Sequence, residues 1–197
     1  MSAGAALLVV DVQNDFCPGG ALAVPGGDRV VPVLNQVITT FAARGLPIYT
    51  SRDWHPPDTR HFRALGGPWP PHCVVGSAGA AFHPDLDLSP AVLVITKGVD
   101  RNDNGYSAFE GRTPDGGSLV DDLRRRAVTH LYVGGLATDY CVKHSVLDAR
   151  KAGFEVTVIE DAIAAVEVHP GDAAAAVDLM IAAGARLAPA SRVLAGL

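Results

Sequence analysis

The sequence predicts an α/β fold: a single domain with a doubly wound, mostly parallel sheet of about six strands and helices on both faces. Three observations predict it. Short β-rich apolar runs alternate with helical periodicity along the chain, the pattern of parallel strands joined by crossover helices. The first run, Ala5–Val10, is continuously apolar, as expected of a strand buried on both faces. The chain has 197 residues, near the upper end of single-domain size, without internal repeat or linker, so one domain is expected over 1–197.

After Ala5–Val10, residues Asp28 to Arg44 read as a helix, with Val30, Val31, Val33, Leu34, Val37, Ile38 and Phe41 roughly on one stripe and Gly45 as the stop. Pro47–Ser51 and Val92–Thr96 are the next strands. Ser118–Arg126 is a short helix and Leu131–Gly134 a strand. Asp139–Lys151 is a helix closed by Gly153, and Val156–Ile159 is a strand. Pro170–Ala183 is an Ala-rich helix with Pro at its start, and Arg186–Ala188 adds an edge strand.

Composition excludes several function classes. The net charge is −5 with both signs interspersed, so no basic stripe attracts a phosphate backbone and nucleic acid is not an expected partner. No apolar run reaches the roughly 20 residues that span a bilayer. The opening MSAGAALLVVDV lacks a basic start and is interrupted by Asp11, so it reads as a buried strand rather than a secretory signal. A chain of this length buries roughly 70% of its unfolded surface and needs no disulfide staples. Three widely spaced cysteines, Cys17, Cys73 and Cys141, favour reduced thiols in the cytoplasm and make one catalytic cysteine worth seeking.

Two stretches, Arg52 to Ala91 and Gly98 to Gly117, have little periodicity. Structureless loops longer than about 15 residues are uncommon in compact domains and are usually functional. Both follow a strand, so both emerge at the carboxyl ends of the sheet, where α/β proteins bind ligands. Asp11 ends the first strand, Asp53 and His55 follow the second, Lys97 ends the third and Cys141 follows the fourth. The topology brings these distant residues to one rim.

Cys141, in GGLATDYC, is expected at the first turn of a helix, where free N–H groups favour an anion. Its thiol should therefore ionise below the free-cysteine value of about 8.5. Lys97 can stabilise that thiolate and Asp11 can take its proton. For Cys17 and Cys73 the ordinary fate of a free cysteine, a small buried hydrophobe, suffices. Asp161, after the fifth strand, reads as structural. A dyad of Cys141 with His144 is a rival, although both side chains would project from one helix.

Asp53 and His55 form a second constellation, because residues i and i+2 of extended chain point the same way and can grip one ion. His61 and His72 lie downstream, and His72 sits in the stiff WPPHC segment that could present it as a third ligand. Carboxylate plus imidazole suits one divalent ion, Zn first, with Fe or Mn as alternatives. His83, His130, His144 and His169 read as ordinary polar residues. Phe16, Trp69 and Tyr106 are rim aromatics that could pack on a flat ring or serve as core beneath the loops. PGGALAVPGG is not a dinucleotide fingerprint, because Asp11-Val12-Gln13-Asn14 occupies the position where those glycines would stand.

Taken together, VVDVQNDFCPGGALAVPGGD, SRDWHP, WPPHCV, Lys97-Gly98, YSAFEG and GLATDYCVKHSVLDA resemble the nicotinamidases of the isochorismatase-like cysteine hydrolases, in order and over nearly the whole chain. The resemblance implies an isochorismatase-like fold and a catalytic triad of Asp11, Lys97 and Cys141. It implies metal ligands Asp53, His55 and His72, with His61 matching a further histidine ligand of some members. It also implies a cis peptide between Leu136 and Ala137, an oxyanion hole from the amides of Ala137 and Cys141, and substrate-ring contacts by Phe16, Trp69 and Tyr106. The activity implied is hydrolysis of nicotinamide to nicotinate and ammonia in NAD salvage, with pyrazinamide as a second substrate. An amidase of the same superfamily acting on another small amide is the alternative. A metallohydrolase that activates water at the ion, and a non-enzymatic binding protein, are two further readings. Self-association into a homo-oligomer is left open.

Overall fold

The computed structural model describes residues 4–88 and 92–197. The first three residues of the opening run and the last three of the 52–91 stretch lie outside them. Six strands form one sheet: β1 (Ala5–Val10), β2 (Ile48–Asp53), β3 (Leu93–Lys97), β4 (His130–Leu136), β5 (Glu155–Ala164) and β6 (Arg186–Ala188). Their order is β3-β2-β1-β4-β5-β6 and every pairing is parallel. The chain winds outward from β1 in one direction and from β4 in the other. The carboxyl ends of β1 and β4 thus flank a topological switch point.

Five α-helices cover the faces: α1 (Val30–Ala43), α2 (Leu119–Arg125), α3 (Lys143–Lys151), α4 (Asp172–Ala182) and α5 (Ala190–Gly196). The period-two geometry of β1 feeds both layers. Ala5, Leu7 and Val9 pack with Val31, Leu34 and Phe41 of α1 and Val193 of α5. Ala6, Leu8 and Val10 pack with Leu119 and Leu123 of α2, Val146 of α3 and Met180 of α4. All six β1 residues are buried, which is why the run carries no polar alternation.

The structure departs from the sequence expectation in three places. β5 extends to Ala164, past the exposed Glu160-Asp161 pair where the apolar run stops. After a register shift it resumes pairing as Gly135↔Ile163 and Leu136↔Ala164. α5 was not expected; seven residues are too few to carry periodicity, and the helix starts where Asp161 Oδ1 accepts the Ala190 N–H at 2.7 Å. The helix expected from Asp139 opens instead as a π turn, Thr138–Val142, before α3 begins at Lys143. Close strand passage at the switch point requires glycine. A Cβ on Gly135, whose φ is +121°, would lie 2.1 Å from the Val10 carbonyl oxygen.

Candidate active site

β1, β2, β3 and the turn after β4 each deliver one reacting group to the carboxyl rim. Sheet register sets Asp53 directly beside Lys97. Asp11 follows β1 with φ +47°, a left-handed conformation unusual for a residue with a Cβ and typical of functional sites. Cys141 lies in the π turn that follows β4.

Lys97 is the hub. Its buried ammonium donates to Asp53 Oδ1 at 2.5 Å, to the Gly105 carbonyl at 2.5 Å and to Cys141 Sγ at 3.5 Å. With Asp11 added, four acceptors share the three ammonium hydrogens. Asp11 Oδ2 is 2.7 Å from the same nitrogen, a charge-assisted contact at hydrogen-bond distance. It therefore feels the positive charge, and because a carboxylate oxygen has two lone pairs, one is still free to accept a proton. Asp11 Oδ1 accepts the Ser51 hydroxyl at 2.7 Å. The acceptor atoms of Asp11 and Asp53 and the Cys141 sulfur all lie within 4.8 Å of one another.

Burial pushes the Asp11 carboxyl up to about 6, with Lys97 opposing the rise and Asp53 adding to it. Burial also works against the charge of Asp53, but Lys97 and His55 overcome it and hold that carboxyl well below the usual range. For Lys97 burial opposes the charge and the two carboxylates outweigh it, so the ammonium is held well above its ordinary range. The cysteine departs from expectation. Burial pushes the Cys141 thiol well above its usual value; Lys97 pulls it down, but Asp11 and Asp53 raise it further. Cys141 does sit in the first turn of the helical segment after β4, the π turn that runs directly into α3, so its place near a helix start does not decide its charge. The expected downward shift is reversed: burial and the two carboxylates favour the protonated thiol, which stands beside the Asp11 carboxyl.

Three imidazoles cluster next to the triad. One ring nitrogen each from His55, His61 and His72 falls within 4.8 Å of the others, and all three residues are buried. His55 Nδ1 meets the Gly98 carbonyl at 3.1 Å and His72 Nδ1 meets the Pro70 carbonyl at 2.8 Å. A carbonyl only accepts, so both Nδ1 atoms carry a proton, which leaves Nε2 as the ring atom that could ligate, the arrangement typical of metal-ligating histidines. His55 Nε2 and His61 Nδ1 are buried without a hydrogen-bond partner among the described residues, and His55 Nε2 is 3.5 Å from Asp53 Oδ2. Burial depresses His61 to about 4 and also lowers His72, keeping both rings neutral as ligation needs. Gly98 permits the close approach, since a Cβ there would be 2.5 Å from the His55 ring. The donor set thus fits a divalent cation.

A narrow cavity opens above these groups, lined by Phe16, Leu22, Asp53, His61, Trp69, His72, Tyr106, Ala137, Tyr140, Cys141 and Val166. The three expected aromatics are all present. Trp69 Nε1 donates to the Tyr106 hydroxyl at 3.0 Å, and the Phe16 and His72 ring centroids are 5.5 Å apart. The Leu136–Ala137 peptide is cis. The Ala137 carbonyl accepts from the Tyr140 and Val142 amides but not from the Cys141 amide between them.

Sequence reading missed five contributors. Gln13 clamps the Asp53 backbone from both sides, accepting its N–H at 2.8 Å and donating to its carbonyl at 2.9 Å. Ser51 shares a strand face with Asp53, a period-two signal that could have found it. Tyr140, Leu22 and Val166 complete the cavity wall and carried no signal. The rival dyad fails: His144 stacks on Tyr106 at 5.1 Å, while the thiol's neighbours are Lys97 and Asp11. His83 accepts the Asp85 amide, His130 pairs with Thr157 and His169 is exposed, all away from the site. Cys17 and Cys73 are buried and free, and no helix among the described residues is long and apolar enough to cross a membrane.

A family model for the isochorismatase domain matches residues 5–191. The nicotinamidase of Escherichia coli (strain K12) is 44% identical over 199 residues, covering 92% of this chain and 93% of that protein. The pyrazinamidase of Pyrococcus horikoshii, solved in complex with zinc, superposes with a TM-score of 0.87 at 41% identity, covering 94% of this chain and 99% of that one. PnC1 of L. infantum, solved in complex with nicotinate, gives a TM-score of 0.84 at 36% identity, covering 97% and 95%.

Proposed function

The chain belongs to the isochorismatase-domain family, alongside its nicotinamidases, and we propose that it hydrolyses nicotinamide to nicotinate and ammonia through a thioester on Cys141. One observation carries the reading. A buried cysteine, a buried carboxylate and a buried ammonium stand together at the floor of an aromatic-lined cavity. Pyrazinamide has the same size and shape and is the second substrate, and nicotinate released here feeds NAD salvage. The similarity to the P. horikoshii pyrazinamidase supports that second substrate. Three unpaired buried thiols suit the cytoplasm.

The mechanism follows from the residues. As Cys141 Sγ attacks the carboxamide carbon, its proton passes to the Asp11 carboxylate, an oxygen of which lies within 4.8 Å of the sulfur. The Ala137 and Cys141 amides stabilise the tetrahedral oxyanion. Asp11 returns the proton to the departing nitrogen, and the C–N bond breaks to leave ammonia and the thioester. Asp11, again a carboxylate, takes a proton from water as the water oxygen attacks the thioester; the C–S bond breaks and the thiol is reprotonated. Lys97 stays charged throughout and offsets the negative charge that moves between sulfur and Asp11. Phe16, Trp69 and Tyr106 pack on the ring. His55, His61 and His72, with Asp53 beside them, would hold one divalent ion, zinc first. Once bound, that ion would supply a Lewis-acid contact for the ring nitrogen, which orients the carboxamide toward Cys141.

The direct test is ammonia release from nicotinamide, run with elemental analysis of the purified protein. Turnover of aliphatic amides in preference to nicotinamide would sink the substrate assignment. The pH profile tests the proton path. Asp11 must be unprotonated to act as base, so kcat/KM is expected to fall about tenfold per unit below its pKa of about 6. Because the thiol gives up its proton only during attack, the rate stays level where an isolated thiol would titrate, roughly pH 8 to 9. A rate that climbs steadily through that range would mean that prior thiolate formation controls the reaction.

A further inference from the structure

We propose that Asp139 is a positioning residue that sets substrate-ring selectivity by pinning the part of the cavity wall that carries Val166. Asp139 lies two residues before Cys141 in the π turn and is 3% exposed. Its carboxylate reaches across to the segment after β5, where Oδ1 accepts the Val166 amide at 3.0 Å and Oδ2 accepts the Glu167 amide at 2.7 Å. Val166 lines the cavity together with Phe16 and Leu22. Glu167 has φ +53°, a conformation that a residue with a Cβ holds only when its surroundings fix it.

The geometry makes Asp139 a strut between two parts of the site. One end belongs to the turn that carries the nucleophile, and the other holds the backbone of a wall residue. Both carboxylate oxygens are spent on main-chain amides, and charge-assisted bonds of this kind are the strong ones. Nothing in the reaction needs Asp139 to move a proton. Its contribution is the distance between Cys141 and Val166, which limits how wide a ring can enter. The inference rests on the amidase reading only for its substrate probes.

Asp139→Asn keeps the shape but turns an NH2 group toward one of the two amide N–H groups, which breaks one strut. For nicotinamide, KM is expected to rise about tenfold with kcat within about threefold. Among ring-methylated nicotinamides, at least one should gain about tenfold relative to the parent. Val166→Ala removes the wall directly and should shift the same ratio in the same direction. A readout independent of turnover is the rate at which Cys141 is alkylated by a bulky N-substituted maleimide relative to iodoacetamide, mapped by mass spectrometry. That ratio should rise in both variants. If wild type does not release ammonia, the amidase reading falls, and the alkylation ratio still decides the role of Asp139. The proposal is overturned if Asp139→Asn lowers thermal stability but leaves the methyl selectivity and the alkylation ratio at wild-type values. It is equally overturned if Val166→Ala leaves both unchanged.

Discussion

Cys141→Ala is expected to lower nicotinamide hydrolysis by about 10⁴-fold or more while leaving the fold and the affinity for nicotinate in place. The substitution deletes the one atom that attacks the carbonyl carbon. It removes little volume, and the remaining lining of the cavity, Phe16, Trp69, Tyr106 and the histidines, is untouched. Cys141→Ser should be nearly as inactive. A hydroxyl gives up its proton less readily than a thiol, and the partner that must take it is a carboxylate with a pKa of about 6. Steady-state ammonia release, with nicotinate binding measured alongside, checks both. An alanine variant within tenfold of wild type would rule out covalent catalysis through Cys141 and return the reaction to a water attack.

How far the sequence could be read depends on the kind of force that fixes each feature. The sheet was legible because β1 is buried on both faces, so its six apolar residues appear as an uninterrupted run. Asp11, Lys97 and Cys141 were legible because a parallel sheet places every strand end on one rim, whatever the sequence distance between them. Features set by one or two long-range hydrogen bonds left no such trace. α5 begins on a bond from Asp161, and the Val166 wall hangs on Asp139; neither alters periodicity. Nor could the charge state of Cys141 be read from its place near a helix. Ionisation is decided by the balance between burial, two carboxylates and one ammonium, and that balance exists only once β1, β2 and β3 are side by side. Gln13 is the instructive omission. An amide two residues after Asp11 looks like a polar turn residue, yet it joins the exits of β1 and β2 by gripping the Asp53 backbone.

Removing the ion proposed at Asp53, His55, His61 and His72 is expected to cut nicotinamide turnover by about 10²-fold, the scale at which a misplaced reacting group lowers rate. Cys141 should remain reactive toward a small alkylating agent, within a few-fold. The reason is that its own partners, Lys97 at 3.5 Å and the Asp11 carboxylate, are side chains of the chain itself. Chelation is thus predicted to separate two properties that a nucleophile-generating metal would lose together. His72→Ala should behave like the chelated protein, because it deletes a neutral ligand whose Nδ1 is already committed to Pro70. His61→Ala tests whether its buried, unpartnered Nδ1 faces the ion: loss of bound metal means that it does, and unchanged metal content removes it from the ligand set. Benzamide carries the same carboxamide on a ring of the same shape but lacks the ring nitrogen. It should be a poor substrate even for metal-loaded enzyme, by a factor close to that of chelation. Suppose instead that benzamide is hydrolysed as fast as nicotinamide and chelation stops both. The ion would then be acting on the carbonyl or on water, and its role as a grip on the pyridine ring would be wrong.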